Sequence, residues 1–441
     1  MSGAVEANAD GLIGPTHSFA GLATGNLASA ANEGLASDPR AAALQGLEKM
    51  ALLAGMGLPQ FVLPPHERPD VRFLRSLGFG GADGRVLERA AREAPQMLAA
   101  AGSASAMWAA NAATVTPSAD AADSRVHLTP ANLVSNLHRS LEPEQTGRAL
   151  RALLPDPGRF VVHAPLPSQA QLADEGGANH VRLAADEGAE GVELFVWGRA
   201  AGELGQARQT DLAVRVLARR HGVRRPVFAR QSAEAIAAGA FHNDVVCVGA
   251  GAALLHHEAA FADTPRLHAD LRRAAEGLFA PEMLVVSTAE LPLGEAVRSY
   301  LFNSMLVRPP GEDRLVLVAP TETRDSARAA AAVARLLDGT GPIGRVLYAD
   351  VRQSMRNGGG PACLRLRLSL TQAELACANP AMRFDAALHA KLADHVRRRW
   401  RDRLLPGDLA DPQLLEESRA ALDELTALLG LGSGFYPFQR G

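Results

Sequence analysis

The stretch NGGGPACLRLRLSL, residues 357–370, joins a glycine-rich turn to a run in which Leu alternates with polar residues. Alternation with period two marks a strand with one face against a core, so a strand is expected over 363–370. The three glycines ahead of it lift steric limits on the backbone, which can turn sharply and approach a ligand closely. Further apolar strands, rich in Val, Leu and Phe, are expected at 61–63, 160–163, 192–197, 244–248, 283–287, 315–319 and 345–349. Amphipathic helices are expected at 83–93, 210–221, 325–337, 385–403 and 411–429. Several of these begin at Asp or Thr, which cap helices, and Gly339 and Gly430 stand where helices should stop. Strands alternating with helices imply an α/β or α+β class. No Pro/Ser linker, charge block or composition shift divides the chain, and no repeat of fixed period is visible.

The composition excludes several function classes. With 45 basic and 48 acidic residues the formal net charge is −3, which argues against a nucleic-acid partner. A 47% apolar content supplies a large core and excludes disorder, while 441 residues suggest about three domains by length alone. Three cysteines, Cys247, Cys363 and Cys377, do not make a disulfide framework. The N-terminus carries acids where a signal peptide would carry basic residues. The apolar run at 245–255 is far shorter than the ~18 residues of a membrane span. A reduced, cytoplasmic protein with no membrane association is expected. Lys49 and Lys391 are the only lysines; codon bias and selective use of Arg for bidentate carboxylate binding both explain the excess of Arg.

Groups capable of chemistry gather in short Gly- and Asn-containing loops beside strands. If the strand starts at Cys363, alternation puts Cys363, Arg365 and Arg367 on one face, and positive neighbours would lower the thiol pKa. A free Cys is equally often a small buried hydrophobe. In Phe241-His-Asn-Asp-Val-Val-Cys247, His242 and Asp244 share a side, as a general base beside a carboxylate would, and Cys247 faces the core. A lone His-x-Asp is also a common structural pair. Asp174-Glu-Gly-Gly-Ala-Asn-His180 can present a carboxylate into a cavity or form a solvated turn. No HExxH, zinc-finger spacing, GxGxxG or Walker A pattern occurs, which leaves a thiol enzyme without metal or cofactor as the sharp reading.

These loops belong to longer motifs: GLIGPTHSFAGLATGN (11–26), PPHERP (64–69), SASAMWAANAATVTPSAD (103–120) and HLTPANLVSNLHRSLE (127–142). DEGGANH (174–180), ARQT (207–210), FHNDV (241–245), YLFNS (300–304), NGGGPACLRLR (357–367) and YPFQR (436–440) follow in order. Together they resemble the N-succinylarginine dihydrolase family, from about residue 9 to the C-terminus. The resemblance implies a pentein fold, an α/β-propeller of five ββαβ-type modules with pseudo-fivefold symmetry, making residues 1–441 one catalytic domain. It implies hydrolysis of N2-succinyl-L-arginine in arginine catabolism, by a homodimer. Cys363 then corresponds to the nucleophile, His242 to the catalytic His and Glu175 to the catalytic acid. Substrate contacts fall on Ala20, Gly21, Leu22, Ala23, Thr24, Gly25, Asn26, Leu27, Ala28 and Ser29, and on Asn111, His138, Arg139, Arg208, Asp244 and Asn357. Glu175 and Asp244 would hold the substrate guanidinium, and Arg139 and Arg208 its carboxylates. An arginine deiminase-like or amidinotransferase-like enzyme, a metallohydrolase and a non-catalytic binding protein are the alternatives.

Overall fold

The structure, a computed structural model, describes residues 3–23, 25–200 and 207–440. Its strands form five separate sheets, and no sheet among the described residues closes on itself. In the first, Ala113–Thr116 runs antiparallel to Val126–Pro130; the helix Pro143–Leu153 then leads to Phe160–Val162, parallel to Val126–Pro130. A parallel neighbour needs such a crossover, and the helix covers one face of the sheet. The same order recurs in His180–Leu183, Val192–Trp197, helix Asp211–Arg220 and Pro226–Arg230. It recurs again in Cys247–Ala250, Ala253–His257, helix Thr264–Ala274 and Glu282–Val286. Met305–Val307, Leu315–Pro320, helix Ala327–Leu337 and Ile343–Ala349 repeat it once more.

The fifth sheet joins the two ends of the chain. Ala4–Gly11 pairs antiparallel with Arg365–Thr371 and parallel with Gln60–Leu63, reached through helix Pro39–Gly55, and Arg383–Phe384 adds an outer edge. That helix starts cleanly because Asp38 accepts the Ala41 amide at 2.8 Å and Pro39 occupies its first position. The largest apolar cluster lies here, with Ala7, Ala9, Phe61, Leu366 and Leu368 packed under Trp400 and Tyr436. Both large rings satisfy their polar atoms: Trp400 Nε1 donates to the Ile13 carbonyl and the Tyr436 hydroxyl to that of Pro65, each at 2.9 Å.

Two expected strand boundaries are corrected. The strand expected over 363–370 is Arg365–Thr371, so Cys363 belongs to the turn before it and strand alternation does not set its direction. The strand expected over 244–248 is Cys247–Ala250, because Asn243–Val245 form a 3-10 turn. Neither Cys363 with Arg365 nor His242 with Asp244 shares a strand face. Ala4–Gly11 was not expected at all. Its alternate residues Glu6, Asn8 and Asp10 are polar, yet all three are buried. Arg365 pairs with Glu6 and donates to Asn8 Oδ1, and Lys49 pairs with Asp10, so ion pairing substitutes for an apolar face.

Candidate active site

Asn111, Glu175, His242 and Asn303 each precede the first strand of the antiparallel pair in its sheet, and Cys363 precedes Arg365–Thr371, which pairs antiparallel with Ala4–Gly11. Their spacing is near-regular: 64 residues from Asn111 to Glu175, 67 from Glu175 to His242 and 60 from Asn303 to Cys363. All but Glu175 line one cavity of about 320 Å³.

Cys363 is fixed by its turn. Its amide donates to the Gly360 carbonyl at 3.1 Å, and its own carbonyl accepts from Ala110 N at 3.0 Å. The glycines before it are required by close packing. Gly358 has φ +104°, and a Cβ there would lie 1.8 Å from Asn26 Nδ2; one on Gly360 would lie 2.7 Å from Asn303 Oδ1. They therefore admit the walls of the cavity, not only a ligand. Asn303 grips the turn twice, accepting Gly360 N at 3.0 Å and donating from Nδ2 to Cys363 Sγ at 3.2 Å. The thiol in turn donates to Asp244 Oδ2 at 3.4 Å. Burial, and then the neighbouring Asp244 carboxylate, push the thiol well above its ordinary pKa. The expectation of a thiol activated by Arg365 and Arg367 is corrected: both guanidiniums pair with Glu6, and Arg367 also with Glu187. They line a separate, smaller cavity.

His242 stands beside Asp244 on the cavity wall, and its Nε2 meets Glu175 Oε2 at 2.8 Å. Burial disfavours the Glu175 carboxylate, but the bond to His242 and the charges of His242, Arg208 and Arg139 outweigh it and hold the group at about 2. Asp174, next in sequence, has no such partner: burial pushes it up to about 6 while Gly176 N and Gln209 Nε2 donate to it. Glu175 is fully buried and does not line the cavity. Its Oε2 meets the imidazole, while its Oε1 is buried with no hydrogen-bond partner among the described residues. Asp244 does reach the cavity, and its Oδ1 is buried with no hydrogen-bond partner among the described residues.

Arg139 and Arg208 also line the cavity. Arg139 Nη1 donates to Asn111 Oδ1 at 3.0 Å, and Asn111 Nδ2 donates to the Glu175 carbonyl at 2.6 Å. Arg139 is buried, with no hydrogen-bond acceptor for its Nε among the described residues. Arg208 stacks over the Phe241 ring at 4.2 Å. Burial, then Arg139 and Arg208, hold His138 neutral with a pKa of about 3. From the N-terminal loop, Ala23, Asn26, Leu27 and Ala28 line this cavity, while Ala20, Leu22 and Ser29 face a small neighbouring one. Gly21 and Gly25 line neither, and Thr24 lies outside the described residues. Asn26 ties the loop to the glycine turn, donating to the Gly358 carbonyl at 2.9 Å, and Asn357 donates to the Ser18 carbonyl at 3.3 Å. Among the described residues no group of three or more His, Cys, Asp or Glu side chains is arranged to hold a metal ion.

A family profile described as Succinylarginine dihydrolase matches residues 3–439. The chain belongs to that family. It is 63% identical to N-succinylarginine dihydrolase 2 of Caulobacter vibrioides, over 100% of both chains. It is 52% identical to N-succinylarginine dihydrolase of Paraburkholderia xenovorans, over 99% of this chain and 100% of the relative. Among solved structures, the product-bound N-terminal domain of ArgZ, a cyanobacterial arginine dihydrolase, superposes with a TM-score of 0.51 at 15% identity. That match covers 82% of this chain and 97% of the other, and shows a shared α/β fold.

Within this succinylarginine dihydrolase, the sequence reading missed the residues that complete the cavity. Asn303, Trp108, Phe241, Val297, Arg298 and Tyr300 all line it. Four of them stand inside motifs already quoted, so the signal was present. An Asn or aromatic side chain carries no charge at neutral pH to draw notice, and its role is visible only once the turn it contacts is placed.

Proposed function

We propose that the chain hydrolyses N2-succinyl-L-arginine to N2-succinyl-L-ornithine, two ammonia and carbon dioxide by covalent catalysis at Cys363. The observation that carries this reading is one cavity lined by Cys363, His242 and Asp244 together with Arg139 and Arg208. Its acidic and basic groups match a substrate with a cationic guanidinium and two carboxylates. The end-to-end relatives that bear the enzyme's name give the reading independent support.

The chemistry follows from the placement of each group. Asp244 accepts charge-assisted hydrogen bonds from the guanidinium and turns its central carbon toward the sulfur. The arriving cation also offsets the Asp244 charge that disfavours the thiolate, so the nucleophile forms when substrate is present and its proton passes to His242. Sulfur attacks the carbon to give a tetrahedral adduct. His242, held by Glu175, protonates a leaving nitrogen, and ammonia departs to leave an amidino group on sulfur. His242 then accepts a proton from the water that displaces the thiolate, which yields a ureido compound. A second round on that compound releases the second ammonia, and the carbamate left behind breaks down to carbon dioxide and the amine. Arg139 and Arg208 bind the carboxylates as bidentate forks, with Asn111, His138, Asn357 and the loop from Ala20 to Ser29 shaping the pocket.

The five like-ordered sheets and the near-regular spacing of Asn111, Glu175, His242, Asn303 and Cys363 support an α/β-propeller of five ββαβ modules with pseudo-fivefold symmetry. In that reading residues 1–441 are one catalytic domain, and the N-terminal strand closes the ring against Arg365–Thr371. A cytoplasmic homodimer is the corresponding assembly, tested by light scattering. The function is tested with Cys363→Ser, which should retain N2-succinylarginine binding and release no ammonia; turnover by that variant would reject the thiol mechanism.

A further inference from the structure

Lys49 and Lys391 are the only lysines in the chain, and their surroundings are opposite: Lys391 is exposed, whereas the Lys49 side chain is 0% exposed. Lys49 projects from helix Pro39–Gly55 into the segment that carries Cys363. Its Nζ donates to Asp10 Oδ2 at 2.5 Å and to the Pro361 carbonyl at 3.2 Å. The strand bearing Asp10 grips the other side of the cysteine, since Gly11 N donates to the Leu364 carbonyl at 3.1 Å. Lys49 and Gly11, next to Asp10, thus hold the chain just before and just after Cys363. Burying an ion pair costs much of what the pair gains, and a neutral pair of similar shape is often as stable. Stability alone therefore does not call for this one. An ammonium is a compact charge with three donors, able to serve a carboxylate and a carbonyl at once.

We propose that Lys49 is a positioning residue for the thiol: anchored by Asp10, its ammonium fixes the Pro361 carbonyl, and with it the turn that aims Cys363 into the cavity, while setting a positive charge near the sulfur. This rests on Cys363 being the nucleophile. The charged and titratable groups around the sulfur are Asp244, Tyr300 and Lys49, and those around Lys49 are Asp10, Arg365 and Cys363. Burial pulls Lys49 down and Asp10 up, and their mutual attraction opposes both shifts. Ionised Cys363 favours charged Lys49, and by reciprocity charged Lys49 favours the thiolate.

The scarcity of lysine makes the test direct. Enzyme labelled with 15N at lysine Nζ carries only two such nitrogens, from Lys49 and Lys391. The Lys49 signal is expected to titrate with the Cys363 thiol and to move when iodoacetamide caps Cys363; a signal that ignores both events overturns the proposal. The double variant Lys49→Met with Asp10→Asn removes both charges together. It should lower kcat roughly ten- to a hundredfold with KM little changed, because the nucleophile is misplaced and the pocket is intact. Its Cys363 alkylation profile, read by peptide mass, should move up by about one pH unit. A folded double variant with wild-type kcat and an unmoved alkylation profile overturns the proposal. If that variant does not fold, the labelled wild-type enzyme decides. Failure of the underlying reading looks different: Cys363→Ser would then keep turning over, whatever the Lys49 signal does.

Discussion

Cys247 opens the strand Cys247–Ala250 and packs among Val246, Leu254 and Ala260, where burial pushes its thiol up to about 12. Cys363 is also buried and also raised, yet it borders the cavity that holds His242, receives a hydrogen bond from Asn303 and faces Asp244. A depressed resting pKa therefore does not separate the thiol proposed as nucleophile from the other. Placement does: one sulfur adjoins the cavity that holds His242, backed by Glu175, and the other lies beside Asn243 on the smaller cavity lined by Arg365 and Arg367. The neighbouring acids Asp174 and Glu175 repeat the point. They fall at about 6 and about 2 because only Glu175 bonds an imidazole, and the charges of His242, Arg208 and Arg139 add to that bond against its burial.

The largest effects should come from disturbing what surrounds Cys363. His242→Ala should lower kcat by about 10²–10⁴-fold, the usual worth of a general acid and base. Glu175→Gln should lower kcat less and leave KM nearly unchanged, since Glu175 touches the imidazole and not the cavity. A large rise in KM for that variant would mean that the carboxylate contacts substrate after all. Of the cavity's basic groups, Arg208→Lys and Arg139→Lys should each raise KM about tenfold, the loss of a charge-assisted fork contact, with kcat less affected. Steady-state kinetics on N2-succinylarginine separates the two patterns.

Smaller effects distinguish the two thiols in the free enzyme. Because its pKa is raised, Cys363 holds less thiolate at neutral pH than a free cysteine. Its alkylation should be slow at pH 7 and keep rising above the ~8.5 midpoint of an unperturbed thiol. Cys247 should stay unmodified in the folded protein over the same range, and a Cys247 labelled as fast as Cys363 would erase the contrast. Cys247→Ala should cost about 1–2 kcal/mol of stability through the small void it leaves, with kcat unchanged.

Legibility in the sequence followed the physics of each element. The strand Val192–Trp197 and the helix Asp83–Glu93 have the expected bounds, because each carries a clean apolar period and polar ends. The strand Ala4–Gly11 was invisible because Glu6, Asn8 and Asp10 break the apolar pattern, and the cations that neutralise the two acids lie far along the chain. Cys363, His242 and Glu175, proposed as the catalytic residues, came from motifs, and the structure brings His242 to the cavity of Cys363 with Glu175 behind it. The partner of each group was not legible. Sequence neighbours Arg365 and Arg367 do not serve the thiol, while Asn303 and Asp244, from other sheets, do. The likeness in strand order among the sheets was hidden for a related reason: it is kept by hydrogen bonding and packing.

The central claim is that one thiol removes both terminal nitrogens of the guanidine. The measurement that meets it directly is the ammonia released per N2-succinylarginine consumed, for the wild-type enzyme and for Cys363→Ser. The wild-type enzyme should release two ammonia with N2-succinylornithine as product, and the variant none. One ammonia with a ureido product, or any sustained release from Cys363→Ser, would contradict it.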